Sequence, residues 1–173
     1  PPMSVGSHAV RVTADTDTAA PTHGGAVGTA VLPLAVTAWF NPPPWLPAPA
    51  PAPLRLDDGH VYVLGFTAWW CESCPQTYGP LTALARRYAT RGVRVILVTA
   101  FYGEKLDALR QGLLATHHVA LPVVVSGVPT GMADFFGTPN NRHFGTVSSM
   151  PWVIVVDQRG VIQFRQGGAT ADS

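Results

Sequence analysis

The chain of 173 residues is long enough for one domain and a tail, and its 11 Lys+Arg against 10 Asp+Glu leave a formal charge of +1. That balance excludes a strongly basic nucleic-acid binder and an acidic disordered tail. With 47% hydrophobic residues and only 12% charged ones there is ample side chain for a core, which excludes global disorder.

In chain order, residues 1–23 read as a poorly ordered N-terminal tail, although residues 8–13 alternate enough to add an edge strand. No Asp, Glu, Lys or Arg occurs from Thr18 to Leu54. Residues 24–40 form an apolar segment at the lower length limit for a membrane-spanning helix, and Trp39 and Trp45 suit a membrane interface. The segment is therefore a candidate membrane anchor, with a loosely packed extension as the alternative. A signal peptide is disfavoured, because the nearest upstream arginine is Arg11. Residues 41–53, rich in proline from Pro42 to Pro53, predict a stiff extended spacer outside any core. The domain proper is expected over residues 54–173.

Residues 61–68 (VYVLGFTA), bounded by Asp57-Asp58-Gly59, read as a buried central strand. Residues 80–88 place Leu81, Leu84, Ala85 and Tyr88 on one helical face, with Arg86, Arg87 and Arg91 outside it and Gly92 as the stop. A second buried strand follows over 93–99. Residues 104–116 predict a helix with a stripe of Leu106, Leu109, Leu113 and Leu114, and 122–126 a short third strand. One helical turn is expected over 132–136. Residues 151–156 and 161–165, joined by Asp157-Gln-Arg-Gly160, read as a β-hairpin. The alternation predicts an α/β sandwich built on a mixed sheet.

Cys71 and Cys74 are the only cysteines. A bridge across two residues closes too small a loop to act as a structural staple. No second Cys-x-x-Cys or His-x-x-x-His completes a zinc tetrahedron. What remains is redox chemistry, in which one sulfur resolves a mixed disulfide formed by the other. The pair lies where a strand ends and a helix begins. There the unsatisfied amides and positive dipole end favour Cys71 as thiolate, and Cys74, expected about one turn inside, is the shielded resolving thiol.

These motifs together resemble the thioredoxin-like superfamily: Trp69-Trp-Cys-Glu-Ser-Cys74 after a buried strand, then Met150-Pro151 opening Trp-Val-Ile-Val-Val-Asp-Gln-Arg-Gly. The subgroup they resemble is the membrane-anchored, extracytoplasmic TlpA/ResA type of thiol-disulfide oxidoreductase, over about residues 54–168. The resemblance implies a three-layer thioredoxin-like sandwich with Cys71 attacking and Cys74 resolving. Pro151 would be a cis-proline facing the dithiol, Met150 would offer its backbone to an extended substrate, and Trp70 would flank the thiol surface. Of the two tryptophans, Trp70 is expected exposed and Trp69 buried. Reduction of protein disulfides outside the cytoplasm is implied, of apocytochrome c or metallochaperone thiols, on a membrane-anchored or membrane-partnered protein that takes no cofactor.

Several residues depart from the pattern. Gly65 stands where thioredoxin has a buried acid, and Thr77 where many anchored members have a glutamate, so Cys74 lacks an evident proton-transfer group. Pro75 directly follows Cys74, and Pro80 sits one residue later than the thioredoxin proline, which predicts an overwound or bulged helix. The closing C-terminal helix of thioredoxins is missing, so a fold-back of the N-terminal segment or a partner is expected to cover that sheet face. Two other readings stay open. Gly65-Phe-Thr and Cys74-Pro75 resemble Sco-type copper chaperones, although their cysteine spacing is wider and only His143 is near the expected ligand position. The third reading is a redox-silent subunit of a membrane assembly. No phosphate loop, catalytic carboxylate pair or Ser–His arrangement stands out, and neither a resident metal nor nucleic acid is called for.

Overall fold

The computed structural model describes residues 27–34, 36–46, 53–100, 105–126 and 150–167. The helical turn expected over 132–136, the N-terminal tail of residues 1–23 and the segment after Gly167 lie outside them.

The frame is a six-stranded mixed sheet in the order β1-β4-β3-β2-β5-β6. Its strands are β1 (Ala38–Phe40), β2 (Val61–Phe66), β3 (Val93–Ala100), β4 (Val123–Ser126), β5 (Trp152–Val156) and β6 (Ile162–Gly167). The central strands β2, β3 and β4 are parallel, and β1, β5 and β6 run antiparallel to their neighbours. Runs such as Val61-Tyr-Val-Leu-Gly-Phe66 lack polar alternation because both faces of the sheet are covered. The strand expected over 61–68 ends at Phe66; beyond it Thr67 keeps one amide bond to Val98 before the chain turns.

Alternation along the strands sends two sets of side chains to opposite faces. Val63, Val95, Leu97, Val123 and Val125 pack against α1 (Pro75–Tyr88) and α2 (Leu106–Arg110) through Tyr78, Leu81 and Leu109. After Arg110 the helix widens into a π-helical segment, Gln111–Thr116, so the expected single helix over 104–116 is shorter at its start and changes its winding. Leu109 and Leu113 of the predicted stripe are still fully buried. The irregularity expected near Pro80 does not appear: α1 runs continuously through it, Pro75 occupies its first turn, and Gly92 at φ +74° closes the turn that follows.

Tyr62, Leu64, Phe66, Ile96, Val98, Val124, Ile154 and Val156 form the other face. It is covered by the N-terminal segment: Val31, Leu34 and Leu56 are buried against it, with Val36, Trp39, Trp45 and Leu54 packed around them. Ala30 bridges to Val161, and Leu34 to Leu54, each antiparallel. Residues expected as anchor and spacer thus join the sandwich as its third layer where they are described, and Ala38–Phe40 pairs with β4 as an edge strand. The physical reason is the apolar face itself, which the charge-free segment satisfies as well as lipid would. No helix among the described residues is long and apolar enough to cross a membrane.

Candidate redox site

The dithiol sits at the C-terminal end of β2, where Ala68 to Cys74 winds through successive turns into α1. Backbone bonds Cys71 N→Ala68 O (3.1 Å) and Cys74 N→Cys71 O (3.3 Å) carry the winding into the helix. Cys74 is the N-cap residue of α1 and not a turn inside it, because Pro75, lacking an amide proton, takes the first helical position. Cys71 precedes the helix by one turn, so both sulfurs lie at the positive end of the helix dipole. They are joined as a disulfide, with Cα atoms 5.4 Å apart. Burial is graded, with Cys71 6% exposed and Cys74 wholly buried. Ser73 Oγ lies 3.6 Å from Cys71 Sγ, a hydroxyl placed to hydrogen-bond a thiolate.

Around the sulfurs, Trp70 and Trp69 are 44% and 41% exposed. The expectation of a buried Trp69 is therefore corrected. Its ring lies across the π-helical segment, where a Cβ on Gly112 would come within 3.0 Å of Trp69 Cβ, and its carbonyl accepts a 2.7 Å bond from His117 Nε2. That support holds Trp69 at the surface beside the dithiol. The Met150–Pro151 bond is cis. Pro151 is buried one residue before Trp152, which pairs with Phe66 at the end of β2, and Met150 packs against the cluster that holds both cysteines. The structure thus gathers Trp70, Cys71, Cys74, Met150 and Pro151 at one end of the sheet. His143, weighed as a copper ligand, lies outside the described residues; among those described, no group of three metal-ligating side chains converges.

Two positions that matter for proton transfer are occupied by other chemistry. A Cβ on Gly65 would meet Leu81 Cδ1 and Leu97 Cδ2 at 2.9 Å, so leucine methyl groups fill the place of a buried acid. Thr77 Oγ1 donates to the Cys74 carbonyl at 2.7 Å, so its hydroxyl is engaged with the backbone. Sequence reasoning missed Thr67 and Tyr78, whose hydroxyls meet at 2.6 Å in the interior. Burial pushes the Tyr78 phenol above its ordinary value, against the opposing effect of the Thr67 bond. The available signal was a polar residue at each of two positions facing the core, Thr67 in phase with Val63 and Tyr78 in phase with Leu81.

No family model matches this sequence, and no curated protein matches it. Solved structures do resemble it. A thiol-disulfide isomerase from Corynebacterium glutamicum superposes with a TM-score of 0.56 at 19% identity, covering 82% of this chain and 88% of that one. The thioredoxin domain of a thiol-disulfide oxidoreductase from Bacteroides vulgatus gives 0.56 at 13% identity, covering 84% and 89%. A thioredoxin-like superfamily protein gives 0.54 at 19%, covering 85% and 90%. The fold is thioredoxin-like. Within the thioredoxin-like fold, Cys71 and Cys74 follow the end of a central strand, and cis-Pro151 immediately precedes the strand beside it.

Proposed function

We propose that this chain is a thiol-disulfide oxidoreductase of the TlpA/ResA type, reducing disulfides of protein substrates outside the cytoplasm while attached to the membrane. The observation that carries the reading is the bonded pair itself, with one sulfur near the rim beside exposed tryptophans and the other sealed beneath it. In the reduced protein, Cys71 thiolate attacks a substrate sulfur, the substrate disulfide breaks, and a mixed disulfide forms. Cys74 then attacks Cys71 Sγ, the mixed disulfide breaks, and the substrate leaves as a dithiol after gaining two electrons and two protons. The chain is left in the bridged form seen here, and a thiol donor restores it. Trp70 and the Met150 backbone flank the sulfurs as the substrate-binding surface.

Insulin reduction with a thiol donor tests the chemistry. Cys71→Ser is expected to lower the rate at least about a hundredfold, since the sequence holds no third thiol to replace it; a variant that keeps its activity overturns the reading. Localisation is tested by fractionating cells that express the full protein and labelling with an impermeant thiol reagent after reduction. Labelled protein in the membrane fraction is expected, and recovery in cytosol overturns the compartment.

A further inference from the structure

The resolving step requires Cys74 to lose a proton in a place that water does not reach, since its residue is fully buried. The hydrophobic cluster that holds Cys74 includes Val63, Leu81, Leu97 and Val153. Tyr78 belongs to the same cluster and brings a phenol hydroxyl to it. Glu72, between the cysteines, is exposed.

Tyr78 follows Cys74 by four residues, the spacing that stacks two side chains on one helical face, and a long helical side chain leans back toward the N-terminus, over the residue four before it. Cys74 has helical dihedrals of −61° and −38°, so the spacing applies to it. Tyr78 Oη ends on Thr67 Oγ1 at 2.6 Å, and Thr67 is 1% exposed. The β2–β3 register pairs Phe66 with Val98, which sets Thr67 beside Thr99 on the helix-facing side of the sheet. Thr99 is fully buried, and its Oγ1 has no hydrogen-bond partner. Thr67 and Tyr78 thus share a hydrogen bond in the interior, and Thr99 adds a buried hydroxyl without a hydrogen-bond partner, where an isolated polar group is costly.

We propose that the Thr67–Tyr78 hydroxyl pair, with Thr99 alongside, positions and hydrogen-bonds Cys74 during resolution, in the place that Gly65 and Thr77 leave without an acid. This rests on the thiol-disulfide reading above. As Cys74 Sγ attacks Cys71 Sγ, the bond from Cys71 to the substrate breaks and the Cys71–Cys74 bond forms. The Cys74 proton goes to the departing substrate thiolate, and the hydroxyl pair donates to the sulfur while it carries charge. Tyr78 is thus a positioning residue for the resolving thiol and not for Cys71.

Tyr78→Phe keeps the ring and deletes the hydroxyl; Thr67→Val deletes the other partner, and Thr67→Ser restores it. Single-turnover reduction of a glutathione-mixed disulfide on Cys71, followed across pH, isolates the resolving step. Tyr78→Phe and Thr67→Val are expected to slow it about tenfold, to raise its apparent pKa, and to accumulate mixed disulfide, with Thr67→Ser near wild type. Alkylation of Cys71 in the reduced protein serves as the control and is expected unchanged. Resolution with wild-type rate and pH profile in both deletion variants overturns the proposal while the redox reading stands. A wild-type protein that exchanges no disulfides overturns both.

Discussion

At the residue scale, the clearest consequences concern groups whose surroundings are fully occupied. A methyl at Gly65 points into Leu81 and Leu97 at 2.9 Å, and both contacts are flexible side-chain ends. Gly65→Ala is therefore expected to fold with a loss of about 1–2 kcal/mol, measured by urea titration. Asp58 shows a different balance. Burial pushes its pKa up, yet hydrogen bonds from Tyr62 and His60 and the charge of Arg94 outweigh it, and the net shift is downward. A carboxyl whose folded pKa is depressed stabilises the fold above its unfolded pKa of about 3.9, and this contribution disappears as pH falls through the folded pKa. Wild type is expected to lose stability below about pH 4 more steeply than Asp58→Asn, read from urea midpoints between pH 5 and pH 2. Residue-level chemistry was partly legible from sequence: the Cys-x-x-Cys pair and Pro151 announce themselves by spacing. The Thr67–Tyr78 bond does not, because it joins a strand end to a helix whose approach only packing decides.

At the element scale, the segment from Ala38 to Leu46 is held by aromatic and cationic contacts. Trp45 meets Trp39 and Tyr62 edge-on, with centroids 6.3 Å apart in each pair. The Arg94 guanidinium lies 4.0 Å above the Trp45 ring and hydrogen-bonds Asp58 Oδ2 at 3.0 Å and Tyr62 Oη at 2.9 Å. Asn41 Nδ2 adds bonds to the carbonyls of Val119 and Leu121 at 2.9 and 3.2 Å. Trp45→Ala is expected to cost about 2 kcal/mol, less than a fully buried tryptophan, because the ring is half-buried. Prolines in residues 41–53 read from sequence as a spacer, since proline-rich stretches cannot donate to a ladder. Composition did not show that Trp45 fastens residues 41–46 to Arg94, a partner far along the chain. The strands β2 to β6 and helix α1 were legible, because runs such as 93–99 and the stripe Leu81, Leu84 and Ala85 carry their periodicity locally. The π-helical winding after Arg110 carries no such mark, for Gly112 is there to admit Trp69 from another part of the fold.

At the scale of the whole molecule, the N-terminal segment covers one face of the sheet. Truncation to residue 54 would remove Val31, Leu34, Trp39 and Trp45 from the face formed by Leu64, Phe66, Ile96, Val98 and Ile154. The truncated protein is expected to bind a hydrophobic dye and to associate; a monomer of wild-type stability would show that the segment contributes no cover. The disulfide lies at the C-terminal end of β2 and the Arg94 contacts at the opposite end of the sheet, near Val61 and Val93. The bridge from Ala30 to Val161 has a kinetic meaning as well. On the ribosome the cover emerges before the strands it covers, and its bridge to Val161 waits for the β5–β6 hairpin. Such distant pairing slows folding and leaves nascent chains dependent on protection from one another.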